Sequence, residues 1–268
     1  MAFNDNVDAK ERQLVKIISA YDSALVAFSG GVDSTYLLYK TAQVLGSRVL
    51  AVTAHSQLHP ADEADAAEKL ARSIGVGHLV AALDLLALPD VEENSPERCY
   101  SCKKHIFTKL KGIAVERGYK AVFEGTNADD IADERPGLRA LKELGVESPL
   151  MAAGLTKDEI RLLSKSAGLP TWSKPSAACL ATRFPRGEQI TSGGLSKVAD
   201  AERFLRKLGL KGDLRVRVHG GNLARIEVSD KEKDLIYKHE KEIISGLRKL
   251  GFRYTTLDLE SFRSGSMN

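Results

Sequence analysis

The sequence lacks an excess of charge of either sign. It has 268 residues, with 39 Lys and Arg against 36 Asp and Glu, so the formal net charge is only +3. Proteins that bind nucleic acid through a broad surface usually carry a clear basic excess, so composition gives no reason to expect such a partner. The hydrophobic share is 43% and the charged share 28%, which is typical of a globular protein. A chain of this length holds one large domain, or one medium and one small domain.

Long apolar runs are also missing. A membrane-spanning helix needs about 20 apolar residues, and the longest candidate here, residues 79–88, is interrupted by Asp84. The first twenty residues carry charged side chains, among them Asp8, Lys10 and Glu11, and have no apolar stretch of the kind found in a signal peptide. We therefore expect no membrane association and a cytoplasmic location.

Cysteine is scarce, with only Cys99, Cys102 and Cys179. An odd number of cysteines in a reducing compartment argues against a disulfide framework and for metal binding or catalysis. The CxxC pair is compatible with a redox pair, half of a zinc site, part of an iron–sulfur site, or two ordinary residues. A zinc site would need a fourth ligand, for which His55, His59 and His105 are candidates. A cluster held by three thiolates would leave one iron open to hydrosulfide, which suits sulfur transfer.

Short apolar runs alternate with helical patterns through the first part of the chain. Strands are predicted at residues 24–28, 48–53, 78–83 and 120–123, with helices at 6–22, 35–45, 62–74 and 103–117 between and before them. This alternation predicts a doubly wound α/β domain with a parallel sheet. Ligands bind such sheets beyond the carboxyl ends of the strands, so the loops at 29–34 and 124–130 are expected to face one crevice.

The order of predicted strands and helices changes after a Pro- and Gly-rich stretch at residues 170–194, where we expect a linker and an active-site loop. Two alternating segments, 214–218 and 224–228, flank a hairpin turn at 220–222. Helices are predicted at 195–208 and 231–250, and a last strand at 254–259. We predict an α/β fold in which residues 1–182 form the nucleotide-binding domain and residues 188–268 a small α+β domain.

Residues 29–34, SGGVDS, join a buried strand to a helix and predict a phosphate-binding loop. Glycine allows the backbone to approach an anion, and the helix that follows adds its positive dipole end. Hydroxyl groups would donate to phosphate oxygens, and a carboxylate would hold the accompanying metal ion. The spacing is not that of a Walker A motif, and an ordinary tight glycine turn is the alternative. The candidate residues are Ser29, Gly30, Gly31, Asp33 and Ser34.

This string resembles the SGGxDS pyrophosphate loop of the PP-loop ATPases, which include GMP synthetase, NAD synthetase and the tRNA thiolases. The resemblance implies that ATP is cleaved between its α- and β-phosphates, so that pyrophosphate leaves and the substrate becomes adenylated.

Later segments are similar to a narrower group, the LarE family of ATP-dependent sulfur insertases that build the nickel-pincer cofactor of lactate racemase. They lie at residues 124–130, 135–137, 179–185, 215–217 and 262–265, so the resemblance covers nearly the whole chain. It implies that a carboxylate of pyridinium-3,5-dicarboxylate mononucleotide is adenylated and then converted into a thiocarboxylate. Adenylation makes chemical sense because it turns a poor leaving group into AMP, leaving the acyl group open to a sulfur nucleophile. ATP and Mg²⁺ are the implied cofactors.

Members of that family differ in their source of sulfur. Some have one cysteine, at the position of Cys179, which gives up its own sulfur in a single turnover. Others have three cysteines, as this chain does in Cys99, Cys102 and Cys179, and these imply a [4Fe–4S] cluster that carries extra sulfide from a sulfide donor. The resemblance also implies a homo-oligomer, in the form of a hexamer.

Basic side chains in the second domain are candidates for binding the substrate phosphate. Arg215 and Arg217 alternate on one strand and so share a face, and guanidinium groups suit phosphate oxygens. A solvated strand face is the alternative, but the resemblance assigns phosphate binding to these two residues and to Arg263. Arg183 is a candidate for stabilising adenylate or sulfide charge. Metal binding or substrate positioning is assigned to the loop carboxylates Asp129, Asp130 and Asp133, for which a solvated acidic loop is the alternative.

Two other functions fit parts of this pattern. A PP-loop tRNA thiolase would also combine a phosphate loop with cysteines, although the small net charge argues against it. The other alternative is a nucleotide-binding or metal-storage protein without enzymatic activity. Such a protein would not release pyrophosphate in response to a substrate.

Overall fold

A computed structural model describes residues 2–60, 62–132, 136–175 and 178–262 of the chain. Within these residues, seven strands and eleven α-helices are defined, joined by three short 3₁₀ turns. The strands are β1 (Ala24–Ala27), β2 (Val49–His55), β3 (Gly77–Ala82), β4 (Ala121–Phe123), β5 (Leu214–His219), β6 (Leu223–Val228) and β7 (Tyr254–Leu257). The helices are α1 (Ala2–Ser19), α2 (Val32–Leu45), α3 (Glu63–Ile74), α4 (Pro89–Glu92), α5 (Arg98–Glu116), α6 (Pro136–Glu143), α7 (Pro149–Ala152), α8 (Lys157–Ser166), α9 (Ser192–Lys207), α10 (Lys233–Lys238) and α11 (Glu240–Lys249).

The first four strands form a parallel sheet in the order β3-β2-β1-β4. Side chains of β1 alternate between its two faces, as the period of a strand requires. Val26 packs into a core with α1, α2 and α8, whereas Leu25 packs into a second core against α5. Helices therefore cover both faces, and the predicted doubly wound α/β fold is confirmed.

The strand order reverses beside β1, because the chain moves outward from β1 to β3 and then returns to place β4 on the other side. Crevices at the carboxyl ends of strands form at such switch points. The loop after β1 and the loop after β4 consequently lie side by side, as the sequence predicted. A Cβ atom added to Gly125 would come within 3.1 Å of the amide nitrogen of Ser34.

A smaller sheet follows in the order β5-β6-β7. The β5–β6 pair is an antiparallel hairpin, and its predicted turn contains Gly220 and Gly221 with φ of 54° and 72°. Those values favour glycine. β7 runs parallel to β6, so the strand that was predicted to close this domain is present. The small α+β fold predicted for the C-terminal part is confirmed.

Two helix predictions are wrong in their boundaries. The helix expected at 103–117 begins earlier, at Arg98, because Ser95 caps it: the Ser95 hydroxyl accepts from the Glu97 amide at 3.2 Å, and Pro96 suits a helix start. The CxxC pair therefore lies inside the first two turns of α5, not ahead of the helix. The single helix expected at 231–250 is divided at His239, whose backbone (φ −104°, ψ 17°) departs from helical geometry.

The chain divides into two compact units. One spans Met1–Ser56, Ala61–Leu83 and Cys99–Lys174, and the other spans Gln57–Pro60, Asp84–Arg98 and Pro175–Asn268. The second unit thus includes two short segments from the first half of the sequence. Its longest segment begins at Pro175, inside the stretch 170–194 that was predicted to be a linker. Among the described helices, none is long and apolar enough to cross a bilayer.

Candidate active site

The phosphate loop is held in shape by its own serines. Gly30 has φ of 65°, the left-handed conformation that glycine accepts most easily. The Ser29 and Ser34 hydroxyls are 3.0 Å apart, and Ser34 Oγ donates to the Gly31 carbonyl at 3.3 Å. α2 begins with Gly31 at its N-cap, so no side chain caps the helix. The first-turn N–H groups of α2 are therefore directed at a position suited to an anion.

Asp33 is the acidic residue in the first turn of α2. Its Oδ2 atom pairs with the ammonium group of Lys157, the first residue of α8. Among the residues that the structure describes, its Oδ1 atom is buried and has no hydrogen-bond partner. A buried carboxylate oxygen without a donor is costly, and it is an oxygen ligand of the kind that Mg²⁺ prefers. The geometry therefore fits the predicted role of Asp33.

The acidic loop after β4 is ordered by its own carboxylates. Asp129 accepts from the backbone N–H of Lys157 at 2.8 Å, and Asp130 accepts from that of Asn127 at 3.2 Å. These bonds fix the loop beside the phosphate loop, which is a positioning role. Asp133, the third carboxylate named from the sequence, lies outside the described residues.

Three polar residues of this site were not identified from the sequence. Glu124 is buried after β4 and accepts from the Thr126 amide at 3.0 Å and its hydroxyl at 2.7 Å, while Ser148 donates to it as well. Lys174 donates to the Gly30 carbonyl at 2.9 Å, and Lys157 pairs with Asp33 as described above. A charged residue directly after a buried strand was the available signal for Glu124. The two lysines carry no local signal, because their partners are more than 120 residues away in the sequence.

Cys99 and Cys102 lie three residues apart in the first two turns of α5, so they share one face of the helix. Cys179 immediately precedes a 3₁₀ turn, Leu180–Arg183, in the second unit. None of the three forms a disulfide; Cys99 is exposed, and the other two are partly exposed. In the part of the chain that the structure describes, no three His, Cys, Asp or Glu side chains are grouped closely enough to hold a metal ion. Thiols are the ligands that iron–sulfur clusters take.

Arg183 is almost fully buried and contacts the backbone of the segment that carries Cys179. Its guanidinium binds both carboxylate oxygens of Glu202, at 2.8 and 2.9 Å. Nη1 donates to the carbonyl groups of Ala178 at 2.9 Å and Cys179 at 3.1 Å. The charge of Arg183 is thus matched by Glu202, and Nη1 donates to the Thr182 hydroxyl at 3.0 Å as well as to the two main-chain carbonyl groups.

The two arginines of β5 are buried rather than solvated, which rules out the alternative of a hydrated strand face. Arg217 binds Glu227 at 3.0 and 2.8 Å and the Thr182 carbonyl at 2.7 Å. Arg215 stacks on the Phe262 ring at 4.8 Å. Burial lowers the pKa of Arg215 to about 10, and repulsion from Arg183 adds to this effect. Arg263, the third predicted phosphate ligand, lies outside the described residues.

Comparisons with known proteins identify one matching family model and two relatives that cover nearly the whole chain. A family model described as queuosine biosynthesis protein QueC matches residues 23–96, which include the phosphate loop. The chain is 39% identical over 264 residues to an uncharacterised protein of Synechocystis, covering 98% of each sequence. It is 38% identical over 260 residues to the pyridinium-3,5-bisthiocarboxylic acid mononucleotide synthase of Lactiplantibacillus plantarum, covering 97% of this chain and 94% of the relative.

A more distant similarity covers only part of the chain. The glutamine-hydrolysing GMP synthase of Aeropyrum pernix is 28% identical over 177 residues, which is 57% of this chain and 33% of that enzyme. The similarity to the Lactiplantibacillus synthase, by contrast, extends through both compact units and includes the segments around Cys179 and Arg215. The chain belongs to the LarE family, the family of the pyridinium-3,5-bisthiocarboxylic acid mononucleotide synthases.

Proposed function

We propose that this protein is an ATP-dependent sulfur transferase that converts a carboxylate of pyridinium-3,5-dicarboxylate mononucleotide into a thiocarboxylate, in the biosynthesis of the nickel-pincer cofactor of lactate racemase. The observation that carries the proposal is the phosphate loop at the switch point of the sheet, in a chain 38% identical to a synthase of the corresponding bisthiocarboxylic acid. As a member of this family, the protein is an enzyme of the PP-loop type.

The loop residues suit the triphosphate of ATP. The first-turn N–H groups of α2 would bind phosphate oxygens. The hydroxyls of Ser29 and Ser34, which are bonded to each other here, would exchange that bond for hydrogen bonds to phosphate oxygens. Asp33 would hold Mg²⁺ through the oxygen that lacks a donor. Magnesium supplies charge neutralisation on the phosphates when bound. Lys174, already at the Gly30 carbonyl, adds positive charge at the same loop.

The first reaction step needs no proton transfer. A carboxylate oxygen of the substrate forms a bond to the α-phosphorus, the bond from that phosphorus to the bridging oxygen breaks, and pyrophosphate leaves with the electron pair. In the second step a sulfur nucleophile forms a bond to the carboxyl carbon, and AMP leaves with the oxygen that the substrate supplied. The phosphate loop supports the first step, because it favours negative charge where pyrophosphate develops.

For the sulfur source we propose a [4Fe–4S] cluster held by Cys99, Cys102 and Cys179, with sulfide supplied by an external donor. Support comes from the presence of three cysteines outside any disulfide and from the CxxC spacing. When bound, such a cluster would present one iron to an added sulfide. The alternative is that Cys179 itself gives up its sulfur once per chain.

For the mononucleotide phosphate we propose Arg215, Arg217 and Arg263 as ligands. Of the described pair, Arg217 also binds Glu227, which balances its charge. Family membership also favours a homo-oligomer, which we propose as the working assembly.

Release of pyrophosphate that depends on the mononucleotide tests the proposed reaction. We expect wild-type enzyme with ATP and Mg²⁺ to release pyrophosphate only when the substrate is added. Ser34→Ala removes a hydroxyl donor to a charged group and should lower the rate about tenfold to a hundredfold. Ser73→Ala is the matched control, since the Ser73 hydroxyl bonds only within the exposed surface of α3. Pyrophosphate release without substrate, or equal rates for both variants, would contradict the proposal.

Anaerobic purification followed by assays of iron and acid-labile sulfide tests the sulfur source. About four irons and four sulfides per chain are expected if the cluster is present, with loss in Cys99→Ala, Cys102→Ala and Cys179→Ala alike. Iron-free protein after anaerobic loading would reject the cluster and leave Cys179 as the sulfur donor.

A further inference from the structure

The segment that carries Cys179, residues 178–185, belongs to the second unit, and six of its backbone carbonyl groups accept hydrogen bonds from side chains. Buried side chains donate to these carbonyls at many points along the segment. Arg183 binds the carbonyls of residues 178 and 179, Arg98 that of residue 181, Arg217 that of residue 182, and Asn94 those of residues 184 and 185.

Arg98 and Arg183 are themselves held by buried partners. The Arg98 guanidinium donates to Asn94 as well as to the Ala181 carbonyl at 3.2 Å, and Asn94 is fully buried with φ of 53°. Glu202 binds Arg183 with both oxygens and also accepts from the Val216 amide at 3.0 Å. Each guanidinium group therefore bonds both to a carbonyl of the segment and to a side chain outside the segment.

We propose that Arg183 and Arg98, anchored by Glu202 and Asn94, are positioning residues that hold Cys179 in place for sulfur transfer. Neither residue needs to touch substrate for this role. A planar guanidinium that bridges two acceptors sets both distance and angle, and a displacement of about 1 Å in a reacting group can lower a rate about a hundredfold. This assigns to Arg183 a different role from the stabilisation of adenylate or sulfide charge that the sequence suggested.

The inference separates two steps of the reaction. Adenylation depends on the phosphate loop, which belongs to the other unit, whereas sulfur transfer depends on the placement of Cys179. Loss of the arginine contacts should therefore impair thiocarboxylate formation and leave mononucleotide-dependent pyrophosphate release nearly intact. A mutation that merely destabilised the protein would lower both rates together.

The kinetic test rests on the proposed function and compares Arg183→Met and Arg98→Met with wild type. We expect thiocarboxylate formation to fall about a hundredfold while pyrophosphate release stays within about threefold. Arg183→Lys should behave like Arg183→Met, because an ammonium cannot bind Glu202 in bidentate fashion and still bridge two carbonyls. Arg203→Met is the matched control, since Arg203 lies on the exposed side of α9 and pairs only with Asp200. Parallel loss of both rates in the Arg183 and Arg98 variants would overturn the inference.

A second test needs no catalysis. In a Cys99→Ala, Cys102→Ala background, Cys179 is the single remaining thiol, and its alkylation by iodoacetamide reports how firmly the segment is held. We expect Arg183→Met and Arg98→Met to raise this rate several-fold at a temperature where every variant remains folded, and Arg203→Met to leave it as in the parent. Equal alkylation rates in all variants would overturn the inference. If wild-type enzyme released no pyrophosphate with the mononucleotide, the proposed function would fail, and the alkylation result would still decide the positioning of Cys179.

Discussion

Asp33 is bound by Lys157 through one carboxylate oxygen, while the other is buried without a donor among the described residues. The pair is partly buried, with side-chain exposures of 28% for Lys157 and 18% for Asp33. Before nucleotide binds, the ammonium group balances the carboxylate charge. If Asp33 holds Mg²⁺ as proposed, the ion would compete with that ammonium for the same carboxylate, and Lys157 would set how much magnesium the enzyme requires.

Lys157→Met removes the competing cation. We expect the Mg²⁺ concentration for half-maximal pyrophosphate release, measured at saturating ATP, to fall about threefold to tenfold, which corresponds to the strength of a partly exposed ion pair. Lys165→Met is the control on the same helix, since Lys165 stacks on the exposed Trp172 ring. A higher magnesium requirement in Lys157→Met would show that the two cations do not compete.

The sequence predicted the site residues that form a local pattern. Residues 29–34 were recognisable because both serines, both glycines and the aspartate stand together after a buried strand, and the structure places them as one loop. Lys157, Lys174 and Glu202 were missed because each acts on a partner brought near only by folding. Arg183 and Arg217 were assigned to charge stabilisation and phosphate binding, but their acidic partners, Glu202 and Glu227, cannot be inferred from spacing alone.

Helices α9 and α11 of the second unit pack together at a glycine, Gly246. A Cβ atom at Gly246 would overlap the Phe204 ring, so only glycine fits there. Glycine costs about 1 kcal/mol relative to alanine in a helix. The close contact between α9 and α11 therefore requires a residue that by itself disfavours the helical conformation.

Gly246→Ala should lower the free energy of unfolding by about 1–3 kcal/mol, because overpacking outweighs the gain in helix propensity. Gly112→Ala is the matched control, since Gly112 lies in α5 with nothing within 4 Å of an added Cβ. That variant should be more stable than wild type by about 1 kcal/mol. Urea unfolding of the three proteins measures both effects, and stabilisation by Gly246→Ala would contradict the packing described for α9 and α11.

Element boundaries were predictable where capping signals were clear. The capping box of Thr156 and Glu159 starts α8 as expected, with the Thr156 side chain accepting from the Glu159 amide. The same type of signal at Ser95 was overlooked, and the CxxC pair was consequently placed outside its helix. The short helices α6 and α7 were missed because a few turns of helix carry little periodicity.

At the scale of the whole molecule, the alternation of strands and helices was sufficient to predict both folds. It was not sufficient to predict that residues 57–60 and 84–98 join the second unit, because these segments lie between elements of the first sheet. Their assignment depends on contacts with residues 180–190, such as the hydrogen bond from the Leu180 amide to the Leu58 carbonyl at 3.1 Å. The predicted cytoplasmic location and hexameric assembly stay predictions.

The central claim is that a carboxylate of the mononucleotide is adenylated at the phosphate loop before sulfur arrives. Substrate labelled with heavy oxygen in its carboxylate groups tests it most directly. If the claim holds, the phosphate of AMP will contain one labelled oxygen for each thiocarboxylate formed. Thiocarboxylate formed together with unlabelled AMP would show that the carboxylate is never bonded to the α-phosphorus, and would contradict the account.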